Sequence, residues 1–210
     1  MSDGLVTTDE EPTSRDAIPI SMRGPASVDI KTAFGFWLFL LSDIIVFAGF
    51  FAAYAVLVNR TAGGPIGKDL FDRTHVFIET ACLLASSFTC GMTSVASEKQ
   101  SGGQTYVWAL ATFALGAAFV WLEVTEFAGL IDRGAGPQRS AFLSAFFALV
   151  GTHGLHVSIG LCWLVSMVGQ VAILGFKPVV LRRLRCFSLF WHTLDIVWVG
   201  IFTIVYLGAR

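Results

Sequence analysis

Five long apolar runs, at about residues 34–58, 75–97, 105–131, 140–174 and 187–208, constrain this chain more than any short motif does. A helix that crosses a bilayer needs about 20 consecutive apolar residues, and each run is long enough. Apolar residues make up 55% of the chain and charged residues only 14%, against roughly 45–50% and about 25% in a soluble domain. Such a sequence cannot cover itself with polar surface, so much of its exterior is expected to face lipid. The expected fold is all-α: a polytopic membrane protein built as a bundle of five transmembrane helices.

The breaks between runs are rich in turn formers and charge. Gly63-Gly64-Pro65 lies in the first, Glu98, Lys99 and Gly102-Gly103 in the second, and Asp132 through Arg139 form the third. Lys177, Pro178, Arg182, Arg183 and Arg185 are read as the fourth. The run at 140–174 is long, but two spans would need more residues, so it is read as one tilted or protruding helix. Residues 1–32 form a polar, acidic tail with Pro12, Pro19 and Pro25. It has too few apolar groups to offset its ordering entropy, and at least its first half is expected to be disordered. The five-helix domain then occupies 33–210.

Five spans put the termini on opposite sides. The tail and the second and fourth loops carry eight Lys and Arg, the other side six, which favours a cytoplasmic amino terminus and a periplasmic carboxyl terminus. The tail lacks the pattern of a cleaved signal peptide. A net charge of −1 gives no footing for nucleic acid. No internal repeat stands out, which weighs against an inverted-repeat transporter. Cys82, Cys90, Cys162 and Cys186 form no CxxC pair and read as small buried hydrophobes.

The informative residues are those a bilayer excludes. Asp43, Glu79, Glu123, Glu126 and Asp195 fall within apolar runs, as do His153, His156 and His192. A centrally placed acid costs about 2.5–3.5 kcal/mol on insertion scales, so each is expected to face a neighbouring helix, a water cavity or an interface. Glu123 with Glu126, His153 with His156, and His192 with Asp195 each share a helix face at i, i+3. Gly151, Gly154 and Gly160 lie on or near the histidine face, where small residues admit a close neighbour. The simplest expectation is a polar seam between the third, fourth and fifth helices, made of carboxylate–imidazole hydrogen bonds. Glu79 sits near a helix end and is read as reaching the interface. Asp43 has no sequence-adjacent partner and is expected to bond a neighbouring helix, with a proton-handling or lipid-contact role as the sharper alternative. Haem or copper ligation by the histidines, a proton relay through Glu123 and Glu126, and a quinone site among the aromatics are rival readings. The i, i+3 spacing alone demands none of them. Trp37, Tyr54, Tyr106, Trp108, Trp191, Trp198 and Tyr206 suit interfacial belts or packing.

Several stretches carry a resemblance: GFWLFLLSDIIVFAGFFAAYAVLV, IETACLLASSFTCGM, WLEVTEFAGLI, GPQRSAFLSAFFALVGTHGLHVSIGLCWL and CFSLFWHTLDIVWVGIFTIVYL. Together they cover nearly all of residues 34–208, and HGLHV followed by FWHxxDxVW is specific as a pair. The chain resembles subunit III of haem–copper oxidases, in the form found in bacterial cytochrome bo-type ubiquinol oxidases. That resemblance implies an accessory, non-redox subunit of a respiratory-chain complex in the bacterial inner membrane. Such a complex oxidises ubiquinol, reduces oxygen to water and pumps protons. The chain itself would be neither catalytic nor cofactor-bearing, with haem and copper in partner subunit I. Its partners would be subunit I mainly, subunits II and IV, and phospholipids held in a cleft. Asp43 matches the family's intramembrane acid, often Glu, and Glu126 its acid in the ExxEF-like stretch. His153, His156, His192, Asp195 and Trp198 match its polar positions. Mitochondrial-type members have seven helices; this chain has five, which also fits some bacterial cytochrome c oxidases, the nearest alternative. An independent small transporter is a more distant one.

Overall fold

The computed structural model describes residues 28–63 and 73–208; most of the acidic tail and most of the first loop lie outside the described residues. The elements are α1 (Val28–Leu57), α2 (Arg73–Glu98), α3 (Gly102–Asp132), α4 (Ala141–Leu174) and α5 (Pro178–Ile201), the last continuing into a π-helical stretch, Phe202–Leu207. Five spans, the last running Pro178–Leu207, are long and apolar enough to cross a membrane. The protein is a multi-pass, all-α membrane protein.

Local chemistry sets most boundaries. Ser140 caps α4 by accepting from the Leu143 N–H at 3.2 Å, the usual role of serine at a helix start. Gly134 and Gly175 take left-handed φ values of 73° and 66° just past α3 and α4, a conformation glycine adopts at least cost. The turn between α2 and α3 uses Gln100 at φ 54°. There the Ser101 N–H returns to the Ala96 carbonyl at 3.1 Å.

The run at 140–174 is indeed one helix. The fifth helix begins earlier than expected. Pro178 opens it, a favourable first-turn residue because it has no N–H to leave unsatisfied. Arg182, Arg183 and Arg185 therefore lie on helix rather than loop. Their long stems can run along the helix while the charged heads reach water. Arg183 bonds Gln170 Oε1 at 2.6 Å and Arg185 reaches Glu98 at 3.4 Å.

α2 and α3 form a tight antiparallel hairpin, α5 packs between α2 and α4, and α3 closes onto α4. α1 lies outside this four-helix unit, against α4 and α5. The core contains Phe119, Phe142, Phe146, Trp191 and Trp198, all essentially inaccessible. The exterior remains apolar: Ile45, Val56, Leu110, Trp121, Ile173 and Ile196 are exposed. The cysteines are all free. Cys90 is buried as expected, but Cys162 is exposed. An apolar side chain in a lipid-facing protein has no need to be inside.

Candidate functional site: ionisable groups within the bundle

Among the described residues, the ionisable side chains inside the spans gather mainly into three small networks. The first joins α2 to α5. Trp191 Nε1 donates to Ser86 Oγ at 3.1 Å, and Trp198 Nε1 donates to Thr80 Oγ1 at 3.1 Å. Both hydroxyls donate in turn to their own helix, Ser86 to Leu83 O and Thr80 to Val76 O. Between the two tryptophans, His192 Nδ1 lies 2.7 Å from Ser87 Oγ, and buried Asp195 also reaches Ser87. Serine, histidine and aspartate meet here, but both partners converge on the serine. A nucleophilic triad needs the acid on the far ring nitrogen to fix the tautomer. This arrangement is a helix clamp. Beside it, Ser87, Phe88, Gly91, Met92, Val95 and His192 line an open groove of about 340 Å³.

The second network joins α1 to α4. Asp43 Oδ1 lies 3.3 Å from His156 Nε2. His156 Nδ1 is 2.7 Å from the Thr152 carbonyl. A carbonyl can only accept, so Nδ1 carries a proton. The other ring nitrogen, Nε2, faces the Asp43 carboxyl. Phe47 covers the pair, its ring centroid 5.3 Å from that of His156. His153, on the same helix, is fully buried and places Nε2 at 3.2 Å from Leu194 O. By the same reasoning Nε2 is its donor. The ring sits among Trp198 at 5.0 Å and Phe119 at 5.7 Å.

The third network is acidic. Glu79 on α2 and Glu123 on α3 are buried. Glu126, one turn beyond Glu123, accepts from Tyr206 Oη at 3.1 Å. Tyr206 belongs to the π-helical stretch. Wider turns of this kind recur where a helix must re-aim a side chain. Glu123 lies against Gly154, where a Cβ would stand 2.5 Å from its carboxyl oxygens. His75 Nε2 is 3.3 Å from both Glu79 Oε1 and the Leu122 carbonyl.

Three expectations change. The polar seam is not a set of carboxylate–imidazole bonds among the third, fourth and fifth helices. His153 takes a backbone carbonyl, and His192 takes a serine on α2. The carboxylate–imidazole contacts are Asp43–His156, between α1 and α4, and His75–Glu79, within α2. Sharing a helix face says that two residues point the same way, not which helix they meet. Glu79 does not reach the interface; it is wholly buried. The glycines admit side chains rather than a neighbouring backbone: Gly154 takes Glu123, and Gly160 takes the Trp191 ring. His75, Ser86, Ser87 and Thr80 carry these networks and were not singled out from sequence. Only His75 had a signal, its i, i+4 spacing to Glu79. Among the described residues, no group of three His, Cys, Asp or Glu is placed to hold a metal ion.

The comparisons with known proteins agree over most of the chain. The family Cytochrome c oxidase subunit III matches residues 20–209. Cytochrome bo(3) ubiquinol oxidase subunit 3 of Pseudomonas aeruginosa is 53% identical over 177 residues, 84% of this chain and 85% of that one. Quinol oxidase subunit 3 of Bacillus subtilis is 44% identical over 173 residues, 82% of this chain and 85% of that one. Cytochrome c oxidase subunit 3 of Bacillus sp. PS3 is 38% identical over 199 residues, 94% and 96% of the two chains.

Proposed function

We propose that this chain, which belongs to the cytochrome c oxidase subunit III family, serves as the accessory third subunit of a membrane-bound ubiquinol oxidase. The observation that carries this reading is the relative named for ubiquinol oxidation, 53% identical across 84% of the chain. The relative named for cytochrome c is 38% identical. Members of the family lack redox cofactors. In this reading haem, copper and ubiquinol belong to the partner, subunit I, with subunits II and IV completing the complex. The chain spans the bacterial inner membrane with its amino terminus cytoplasmic, and phospholipids cover its apolar exterior.

The geometry supports a scaffold role. Trp191, His192 and Trp198 on α5 bond hydroxyls of α2 and so clamp helix to helix. Asp43, Glu79, Glu123, Glu126, His153, His156, His192, Asp195 and Trp198 act in this reading as structural or lipid-contact residues.

Co-purification tests it. Tagged chain extracted in mild detergent is expected to bring down a haem-bearing, many-helix partner whose turnover consumes ubiquinol. Recovery of the chain alone, or activity with reduced cytochrome c in place of quinol, would remove the quinol-oxidase reading. A second measurement separates scaffold from catalyst. His192→Leu is expected to lower subunit retention more than the turnover of the complexes that do assemble.

A further inference from the structure

The clamp between α2 and α5 borders the open groove of about 340 Å³ lined by Ser87, Phe88, Gly91, Met92, Val95 and His192. Ser87 lies near the middle of the 26-residue α2, at a depth where the bilayer holds no water and lipid tails form no hydrogen bonds. A groove that served acyl chains alone would need only apolar walls. This one ends at an imidazole. Phe88 is 67% exposed, with its ring edge-on to Trp108 at 6.5 Å. At Gly91 nothing stands within 4 Å of the place a Cβ would take, so a flat group can lie against the helix backbone. Met92 is an adaptable side chain that moulds to what it meets. Small-molecule sites have this make-up: walls mostly apolar and aromatic, and a few polar groups that fix orientation.

The polar end of the groove is part of a hydrogen-bonded chain. His192 Nδ1 lies 2.7 Å from Ser87 Oγ, and Asp195 reaches the same hydroxyl. A hydroxyl has one proton to donate, so the three groups act in sequence. With Asp195 ionised, Ser87 donates to it and accepts from Nδ1–H, which leaves Nε2 as an acceptor. One more proton lets the carboxyl donate to Ser87 and Ser87 donate to Nδ1, and Nε2 then carries the hydrogen. Because Nδ1 is engaged, Nε2 is the nitrogen His192 has left for a ligand. The first form suits a phenolic O–H, the second a ring carbonyl. An acyl chain uses neither, whereas a quinol and its quinone use one each. We propose that this groove binds the head group of a membrane quinol or quinone, its ring over Gly91 between Phe88 and Met92, with His192 as the polar anchor. Binding alone is meant, without electron transfer. The identity of the occupant rests on the quinol-oxidase function proposed for the chain.

Photoaffinity labelling of the assembled complex with an azido-ubiquinone tests this, with peptide mapping of this chain and ubiquinol turnover measured on the same preparation. Label is expected on the α2 segment that carries Phe88 and Met92. Excess ubiquinone is expected to lower it at least tenfold, and excess phospholipid to leave it unchanged. Equal loss with phospholipid would mean an acyl-chain groove and overturns the proposal, as does label that ubiquinone fails to displace. Gly91→Leu fills the groove but leaves the hydrogen bonds of the clamp in place. It is expected to retain the subunit and lose the label at least tenfold; persistent label overturns the site. In complexes that retain the His192→Leu subunit the label is expected to fall likewise, and unchanged label overturns the anchor. If neither variant assembles, displacement in the wild type decides. Ubiquinol turnover with no label on this chain overturns the groove and leaves the proposed function standing; displaceable label without quinol turnover does the reverse.

Discussion

α1 and α5 are both long apolar spans, yet they are held in opposite ways. In the most apolar stretch of α1, 11% of residues are buried; in that of the last span the figure is 50%. The buried residues of α1 form one line, Leu40, Phe47 and Tyr54, seven residues apart, with the Asp43–His156 contact beside it. α5 buries two tryptophans and binds α2 at Trp191, His192 and Trp198. Hydrophobicity does not drive helices together in lipid, because lipid tails are as apolar as leucine. Close packing and polar bonds decide instead. α5 has both in quantity, whereas the described residues of α1 show one buried stripe and the Asp43–His156 contact.

Substitutions can break or sharpen that contrast. The largest effect is expected at Trp198→Ala, which empties the core between α5 and α2. Removal of a buried Trp or Phe costs about 3–5 kcal/mol, and thermal unfolding in detergent should register it as a large fall in midpoint. Trp198→Phe retains most of the packing and loses the bond to Thr80, so about 1 kcal/mol is expected. Gly160→Ala should come next. Its Cβ would stand 2.8 Å from the Trp191 ring, a rigid group with little room to yield, and overpacking of this kind costs about 1–3 kcal/mol.

On α1 the effects are expected to be smaller. Asp43→Ala removes one interhelical hydrogen bond, worth about 0.6 kcal/mol on average in membrane proteins, and Asp43→Asn should be milder still. Co-purification with the partner should survive both. A loss of assembly in Asp43→Asn would mean that the pair is ionised and essential, and α1 would no longer be the lightly held helix. Gly49→Ala should change least, because nothing lies within 4 Å of the added carbon. A fall comparable to that of Gly160→Ala would show that another surface presses on α1 in the complex.

Much of this could be read from sequence because hydrocarbon is an unforgiving solvent. Run length fixed the helix count and marked 140–174 as a single span, and turn formers marked the breaks. Boundaries were less legible where charge and helix coexist, as at Arg182, Arg183 and Arg185. The lipid exclusion that singles out Asp43, Glu79 and His153 says only that each needs company. It does not name the companion. Ser86, Ser87 and Thr80 gave no such signal, since a hydroxyl can bond back to its own helix and so passes in any apolar run.

By itself, then, the sequence determined that this protein lies in a membrane as five helices carrying a few costly polar groups. Those facts follow from transfer energies, which each segment pays alone. Only the tertiary structure decided that His192 would meet Ser87 rather than an acid, that Gly154 would receive Glu123, and that Glu79 would lie buried beside two other carboxyls. Such pairings depend on helix rotation and depth, and these are set by close packing among all the helices at once.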